Sequence, residues 1–133
     1  AFTQPAIEEM SKMFGAVDEI MDLALTAFIH RDLSAAREVE PLEQVVDTLK
    51  EQLRSRHILR LQEGKCGMEA GFVWADMLTD LERIADHCSN IAGCVVQMQK
   101  SRLDIHGYLD GIRSGSDEYR QRYDFYARKY ALV

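Results

Sequence analysis

The sequence predicts an all-α fold: an up-down-up three-helix bundle with an additional short C-terminal helix. Three observations lead there. Apolar residues recur at alternating spacings of three and four along three long segments, which places them on one stripe of a helix. The 133 residues hold two prolines and eight glycines, three of them gathered at Gly107, Gly111 and Gly115. An all-β chain would need turn residues far more evenly spread. The connections between the three segments are short, which sets neighbouring helices antiparallel.

The first segment carries Ile7, Met10, Phe14, Val17, Met21, Ala24 and Phe28 in one apolar row. Thr3, with Pro5 close behind, reads as its N-terminal start. His30, Arg31 and Asp32 form the next connection, and Asp32 suits the N-cap of the second helix. That helix continues the rhythm with Val39, Leu42, Val46, Leu49 and Leu53; Pro41 either bends it or marks a start near Glu38. Gly64, Cys66 and Gly67 connect to a third helix whose row is Ala70, Trp74, Met77, Leu81, Ile84, Cys88, Ile91, Val95 and Met98. After Met98 the period stops. Lys100–Ser116 reads as a loop with a short turn at Ile105–Ile112, followed by a short helix from Asp117 to about Leu132. Tyr119, Tyr123, Tyr126 and Tyr130 line one side of that helix and call for a surface to pack on. Residues 1–100 are therefore expected to form the bundle, and 101–133 a loop and helix packed on the bundle or on a partner.

Composition narrows the function. An apolar content of 47% supports a core, and a net charge of −6 excludes a generic nucleic-acid binder, which needs a basic face. Three cysteines without a C-x-x-C spacing argue against a disulfide framework or a cysteine zinc site and fit a reducing cytosol. No stretch approaches the length of a membrane span, and the opening AFTQPAIEEM lacks the regions of a secretory signal. No glycine-rich phosphate loop, serine triad or Cys/His nucleophile pair is present.

The chemically informative feature is a repeated carboxylate spacing. Glu43 and Asp47 stand four apart on the second helix, and Glu82 and Asp86 four apart on the third, each on one helix side. Glu51 lies one turn beyond the first pair and Asn90 one turn beyond the second. Like charges at this spacing repel by roughly 0.2–0.5 kcal/mol on a bare helix. Two such pairs on neighbouring helices would concentrate negative charge that a multivalent cation relieves. An all-oxygen donor set suits iron, manganese, magnesium, calcium or zinc. The competing reading is a pair of solvated faces with Lys50 and Arg83 as counter-charges. Asp18 and Asp22 on the first helix show how readily such spacing arises.

The string DLERIADHCSNIA, Asp80 to Ala92, resembles the signature helix of PhoU proteins, the phosphate-uptake regulators. PLEQVVDTLK on the second helix matches the companion acidic motif of that family. The resemblance covers one three-helix repeat over roughly residues 5–100. It implies a non-enzymatic regulatory domain in which Glu43, Asp47, Glu82 and Asp86 hold a divalent or trivalent ion, iron or zinc foremost, manganese or magnesium next. His87, Glu51 and Asn90 are accessory candidates. The single repeat with the unrelated tail from Asp104 looks like the C-terminal cytosolic region of bacterial sodium/phosphate cotransporter-family proteins. The implied location is the cytoplasmic side of a membrane. The implied partners are a membrane phosphate transporter, in the same polypeptide on the cotransporter reading, and inorganic phosphate bound through the metal. A homodimer would supply the carboxylates of a missing second repeat. No nucleic acid is expected.

Other residues read as structural. His57 is expected at the surface or in a groove, and Arg54, Arg56 and Arg60 at a solvated helix end. Cys88 reads as core, and Met10, Met13, Met21, Met77 and Met98 as bundle filling. The alternative function is a structural helical interaction or dimerisation module without metal, with the aromatic tail as its contact. A hydrolytic metalloenzyme ranks below both, since only His87 could serve as a base near the carboxylates.

Overall fold

The structure, a computed structural model, describes residues 2–100 and 105–133, with the backbone alone for 105–116. It forms four helices: α1 (Gln4–His30), α2 (Leu33–Gln62), α3 (Met68–Lys100) and α4 (Ile105–Lys129).

Local chemistry sets the ends. The Thr3 hydroxyl accepts the Ala6 N–H at 3.3 Å, and Pro5 occupies the first turn, where no backbone donor is needed. Arg31 takes a left-handed φ of 50°. The Asp32 N–H then returns to the Ala27 carbonyl at 3.1 Å, while the Asp32 carboxylate accepts the Ala35 N–H at 3.2 Å. Two residues thereby close one helix and open the next. α2 begins at Leu33 and continues through the buried Pro41, so the proline does not mark its start. Between α2 and α3 the chain turns at Gly64, whose φ of +71° favours glycine.

The α2 row is as expected: Val39, Leu42, Val46, Leu49 and Leu53 are all buried. The rows on α1 and α3 need correction. On α1 the core takes Ala6, Met10, Met13, Ala16, Val17, Ile20, Ala24 and Ala27, while Ile7, Phe14, Met21 and Phe28 stay substantially exposed. On α3 Trp74, Leu81, Cys88 and Val95 are buried with Gly71, Leu78, Ala85 and Ala92, whereas Ile84, Ile91 and Met98 are exposed. Both helices carry two apolar rows side by side. Small residues occupy the inward one, where helix axes approach closely. Met21 and Met98 are accordingly not bundle filling.

α1 and α3 run parallel. Phe2 meets Trp74 at one end, with ring centroids 5.6 Å apart. Arg31 borders a small cavity with Val95 at the other.

A polar cluster is buried near the Trp74 end. Glu9, 8% exposed, pairs with Arg56 at 2.9 Å and Arg60 at 3.0 Å. Arg60 lies over the Trp74 ring at 5.2 Å, and His57 stacks on the same ring at 5.5 Å. His57 is therefore a core residue, not a surface one, and Arg56 and Arg60 are tied to a buried acid instead of standing free. Of the three arginines only Arg54 keeps the expected exposed setting, near Glu51 at 3.7 Å. Burial, reinforced by the Arg60 charge, pushes the His57 imidazole below its ordinary value and favours the neutral ring.

α4 is longer than expected. Its helix spans Ile105–Lys129, so 105–116 is helical and not a loop; the expected loop at 101–104 lies outside the described residues. α4 lies along α2. Tyr126 and Tyr130 are buried against the chain's own bundle. The Tyr130 hydroxyl bonds Glu19, Lys129 pairs with Glu19 at 2.5 Å, and Arg122 pairs with Glu38.

Two stability measurements follow from this packing. A Cβ added at Gly71 would sit 3.2 Å from His57 Nε2 and 3.3 Å from Leu61 Cδ2. His57 is buried and stacked on Trp74, so overpacking is expected to exceed the roughly 1 kcal/mol gained in helix propensity. Gly71→Ala is expected to lower the urea midpoint, whereas Gly93→Ala, which meets nothing within 4 Å, should raise it. Glu9→Ala leaves Arg60 uncompensated beside the indole and should cost about 3 kcal/mol in the same denaturation assay.

Candidate metal centre

The carboxylates emerge where the α2–α3 interface meets solvent. Glu43 and Asp47 each follow a buried residue, Leu42 and Val46, and Asp86 follows buried Ala85. Burial of those apolar neighbours fixes the rotation of both helices, so the acids must come out at the groove edge. Glu43, Asp47 and Asp86 each offer a ligand oxygen, and those oxygens all lie within 4.8 Å of one another. Asp86 is exposed and Glu43 half-buried.

Because α2 and α3 are antiparallel, the groove reads as a ladder. At one end the Ser89 hydroxyl donates to Glu40 Oε2 at 3.0 Å and also reaches Glu43. Next come Glu43 and Asp86, joined by a hydrogen bond, with Asp47 beside them. At the far end the Lys50 ammonium holds Glu82 at 2.8 Å and lies 3.7 Å from Glu51. The spacing expectation paired all four acids; the structure gathers Glu43, Asp47 and Asp86, and gives Glu82 to Lys50. The antiparallel register explains it, since Glu82 lies one turn toward the α2 lysine. Glu51 points to Lys50 and Arg54, and His87 and Asn90 are exposed on α3 outside the three-acid group.

The electrostatics follow from that crowding. Burial, the Asp86 hydrogen bond and the Glu40 charge push the Glu43 carboxyl up to about 7. Asp47 is also raised, first by desolvation, against the opposing pull of Lys50 and with added repulsion from Glu82 and Asp86. The hydrogen bond to Glu82 raises Lys50, holding it as a cation. Tyr119 of α4 faces this end too, its phenol raised by burial and by Glu40 and Glu43. Glu40 and Ser89 escaped the sequence reading, although each lies three residues from a member of the group, Glu43 and Asp86, and so shares its helix side.

An all-oxygen set of this kind fits a hard cation. Three carboxylates on two rigid helices leave several coordination positions open to water or an anion. Beside them an open groove of about 590 Å³ runs between α2, α3 and α4, bordered by Arg37, Glu40, Ser89 and Arg122.

Comparison with known proteins agrees with the arrangement of these helices. The PhoU domain model matches residues 10–95, which takes in α2, most of α1 and α3, and the whole acidic groove. The chain is 27% identical over 111 residues to the phosphate-specific transport system accessory protein PhoU homolog 1 of Thermotoga maritima, covering 84% of this chain and 47% of that protein. It is 32% identical over 87 residues to an uncharacterized protein of Deinococcus radiodurans, covering 65% of this chain and 32% of the relative. The matches thus span about half of the first relative and a third of the second. No solved structure matches the chain. With its bundle and the sequence match over residues 10–95, the chain belongs to the PhoU domain family.

Proposed function

We propose that this chain is a regulatory, non-enzymatic module of phosphate uptake that binds a multivalent cation through Glu43, Asp47 and Asp86. The observation that carries the reading is the meeting of those three acids from two helices within 4.8 Å. Glu82, the fourth acid of the proposed site, is engaged by Lys50. Iron or zinc is the leading ion, with manganese or magnesium next. The similarity to an accessory protein of a phosphate-specific transport system supports the link to phosphate. Inorganic phosphate would approach from the neighbouring groove and take positions that the protein leaves open on the ion, with Arg37 and Arg122 at the rim. The bound state would be communicated to a membrane phosphate transporter on the cytoplasmic side, on the sodium-dependent cotransporter reading within the same polypeptide. Among the described residues no helix is long and apolar enough to cross a membrane, so on that reading the spanning part lies in other residues.

Calorimetric titration with Mn²⁺ and Zn²⁺ tests the ion. Asp86→Asn should weaken binding by about tenfold or more, because it removes a charged donor from the centre of the group. Lys50→Met should tighten it, since Glu82 is then free to turn toward Asp47. Equal affinities for the wild type and both variants would remove the site.

The second test is pH. The folded chain holds the Glu43 proton up to about 7, while an unfolded glutamate releases it near 4.5. The folded state therefore binds more protons in this window. The stability of the ion-free protein is expected to fall as pH rises from about 5 to about 8. Glu43→Gln should flatten that slope in thermal melts, and added cation should oppose it.

A further inference from the structure

The groove beside the acidic group is far larger than inorganic phosphate needs. It holds about 590 Å³ between α2, α3 and α4. Clefts of roughly 300–1,000 Å³ suit organic ligands, with an apolar lining and a few placed polar groups. α4, the third wall, lies beyond the residues 10–95 that match the PhoU domain. That wall therefore comes from outside the matched bundle.

The groove has a flat floor and two unlike ends. Ala36 and Ala92 are buried in the floor, with Gly93 and the half-buried Val96 beside them. A Cβ added at Gly93 meets nothing within 4 Å, so the floor is open there. From Ser89 to Val96 it follows seven residues of α3, about 10 Å. The end nearest the acidic group is marked by Glu40, which accepts from Ser89. Arg37 stands one turn further along α2, and Gln97 and Lys100 continue past Val96 on α3. Glu118 lies on the exposed rim.

The α4 wall adds two donors. The Tyr119 hydroxyl and Arg122 Nε are buried and have no hydrogen-bond partner among the described residues. Burial and the charges of Glu40 and Glu43 keep the proton on Tyr119, so its hydroxyl stays a donor. Arg122 is fixed in place by Glu38, while Arg37 makes no ion pair among the described residues. A buried donor without an acceptor is costly, and a ligand oxygen removes that cost.

We propose that this groove binds a nucleoside monophosphate, with or without an ion in the acidic group. The phosphate accepts from Arg37 and from Arg122 Nε. The base lies on Ala36, Ala92 and Gly93 with an amino group toward Glu40, and Tyr119 donates to a sugar or ring acceptor between those ends. Size, shape and charge select this occupant. Inorganic phosphate leaves the apolar floor bare. Small residues from two helices give a flat bed to a planar ring. A fatty acid would set the end of its chain against Glu40 and Ser89, where an amino-bearing base finds an acceptor.

Equilibrium dialysis of the whole chain against AMP in excess EDTA tests the site, so its failure is read separately from failure of the cation proposal. One AMP per chain is expected, with adenosine and inorganic phosphate each bound at least about tenfold more weakly. Arg37→Gln should weaken AMP about tenfold and leave adenosine unchanged, whereas Tyr119→Phe should weaken both. Gly93→Leu fills the open floor and should abolish AMP binding while the helical circular dichroism is kept. No bound AMP at about 1 mM would overturn the proposal. So would inorganic phosphate that binds as tightly as AMP, or wild-type affinity in Gly93→Leu. Laurate retained in preference to AMP would overturn it in favour of a lipid.

Discussion

The apolar contact between α2 and α3 forces like charges together. Leu42, Val46, Leu49, Leu81, Ala85 and Cys88 must be buried for the bundle to exist. Their burial leaves the acids beside them one place to emerge. Each buried aliphatic side chain is worth roughly 1.5–3 kcal/mol, while a like-charge pair on a helix costs only a few tenths. Packing wins, and Glu43, Asp47 and Asp86 meet across the groove. The protein answers that repulsion at one end with Lys50 and at the other with the Ser89 hydroxyl. Between those ends a proton held on Glu43 relieves the charge, as the proposed cation would. Rigid packing thus holds the three acids together, so little ordering would be left for the proposed cation to supply.

α4 and the polar cluster around Trp74 serve the same geometry. α4 lies along α2 and is fastened by Arg122 to Glu38 and by Tyr130 to Glu19. It therefore constrains the helix that supplies two of the three acids, and it brings Tyr119 within electrostatic reach of Glu40 and Glu43. At the opposite end Glu9 joins α1 to α2 through Arg56 and Arg60. A buried ion-pair cluster contributes little net stability, yet breaking it is costly, so it specifies how α1 meets α2.

Much of this was legible in the residues. The α2 row, the Thr3 and Asp32 caps and the meeting of acids from α2 and α3 all follow from spacing and side-chain chemistry. The errors on α1 and α3 share one cause. On α1 and α3 an apolar row of large residues lies next to a row rich in alanine and glycine. Size drew the reading to Phe14, Phe28 and Ile84, while close helix approach selects Ala16, Ala27 and Ala85. Period alone does not choose between two adjacent rows. Gly107, Gly111 and Gly115 suggested a loop, yet at four-residue spacing they are compatible with one side of a helix. Glu82 was grouped with Asp86 because spacing along one helix carries no information about the register of its neighbour. The antiparallel register gives it to Lys50. His57 looked like a surface group in a basic string, and only Trp74, distant in sequence, makes it core.

The central claim is that packing has assembled an oxygen cage for a cation at the edge of α2 and α3. Anomalous diffraction from crystals grown with Mn²⁺ tests this most directly. The account predicts a single strong peak between Glu43, Asp47 and Asp86, at roughly 2.0–2.3 Å from an oxygen of each. An empty groove at saturating ion, or a peak only at acids elsewhere on the surface, would contradict it.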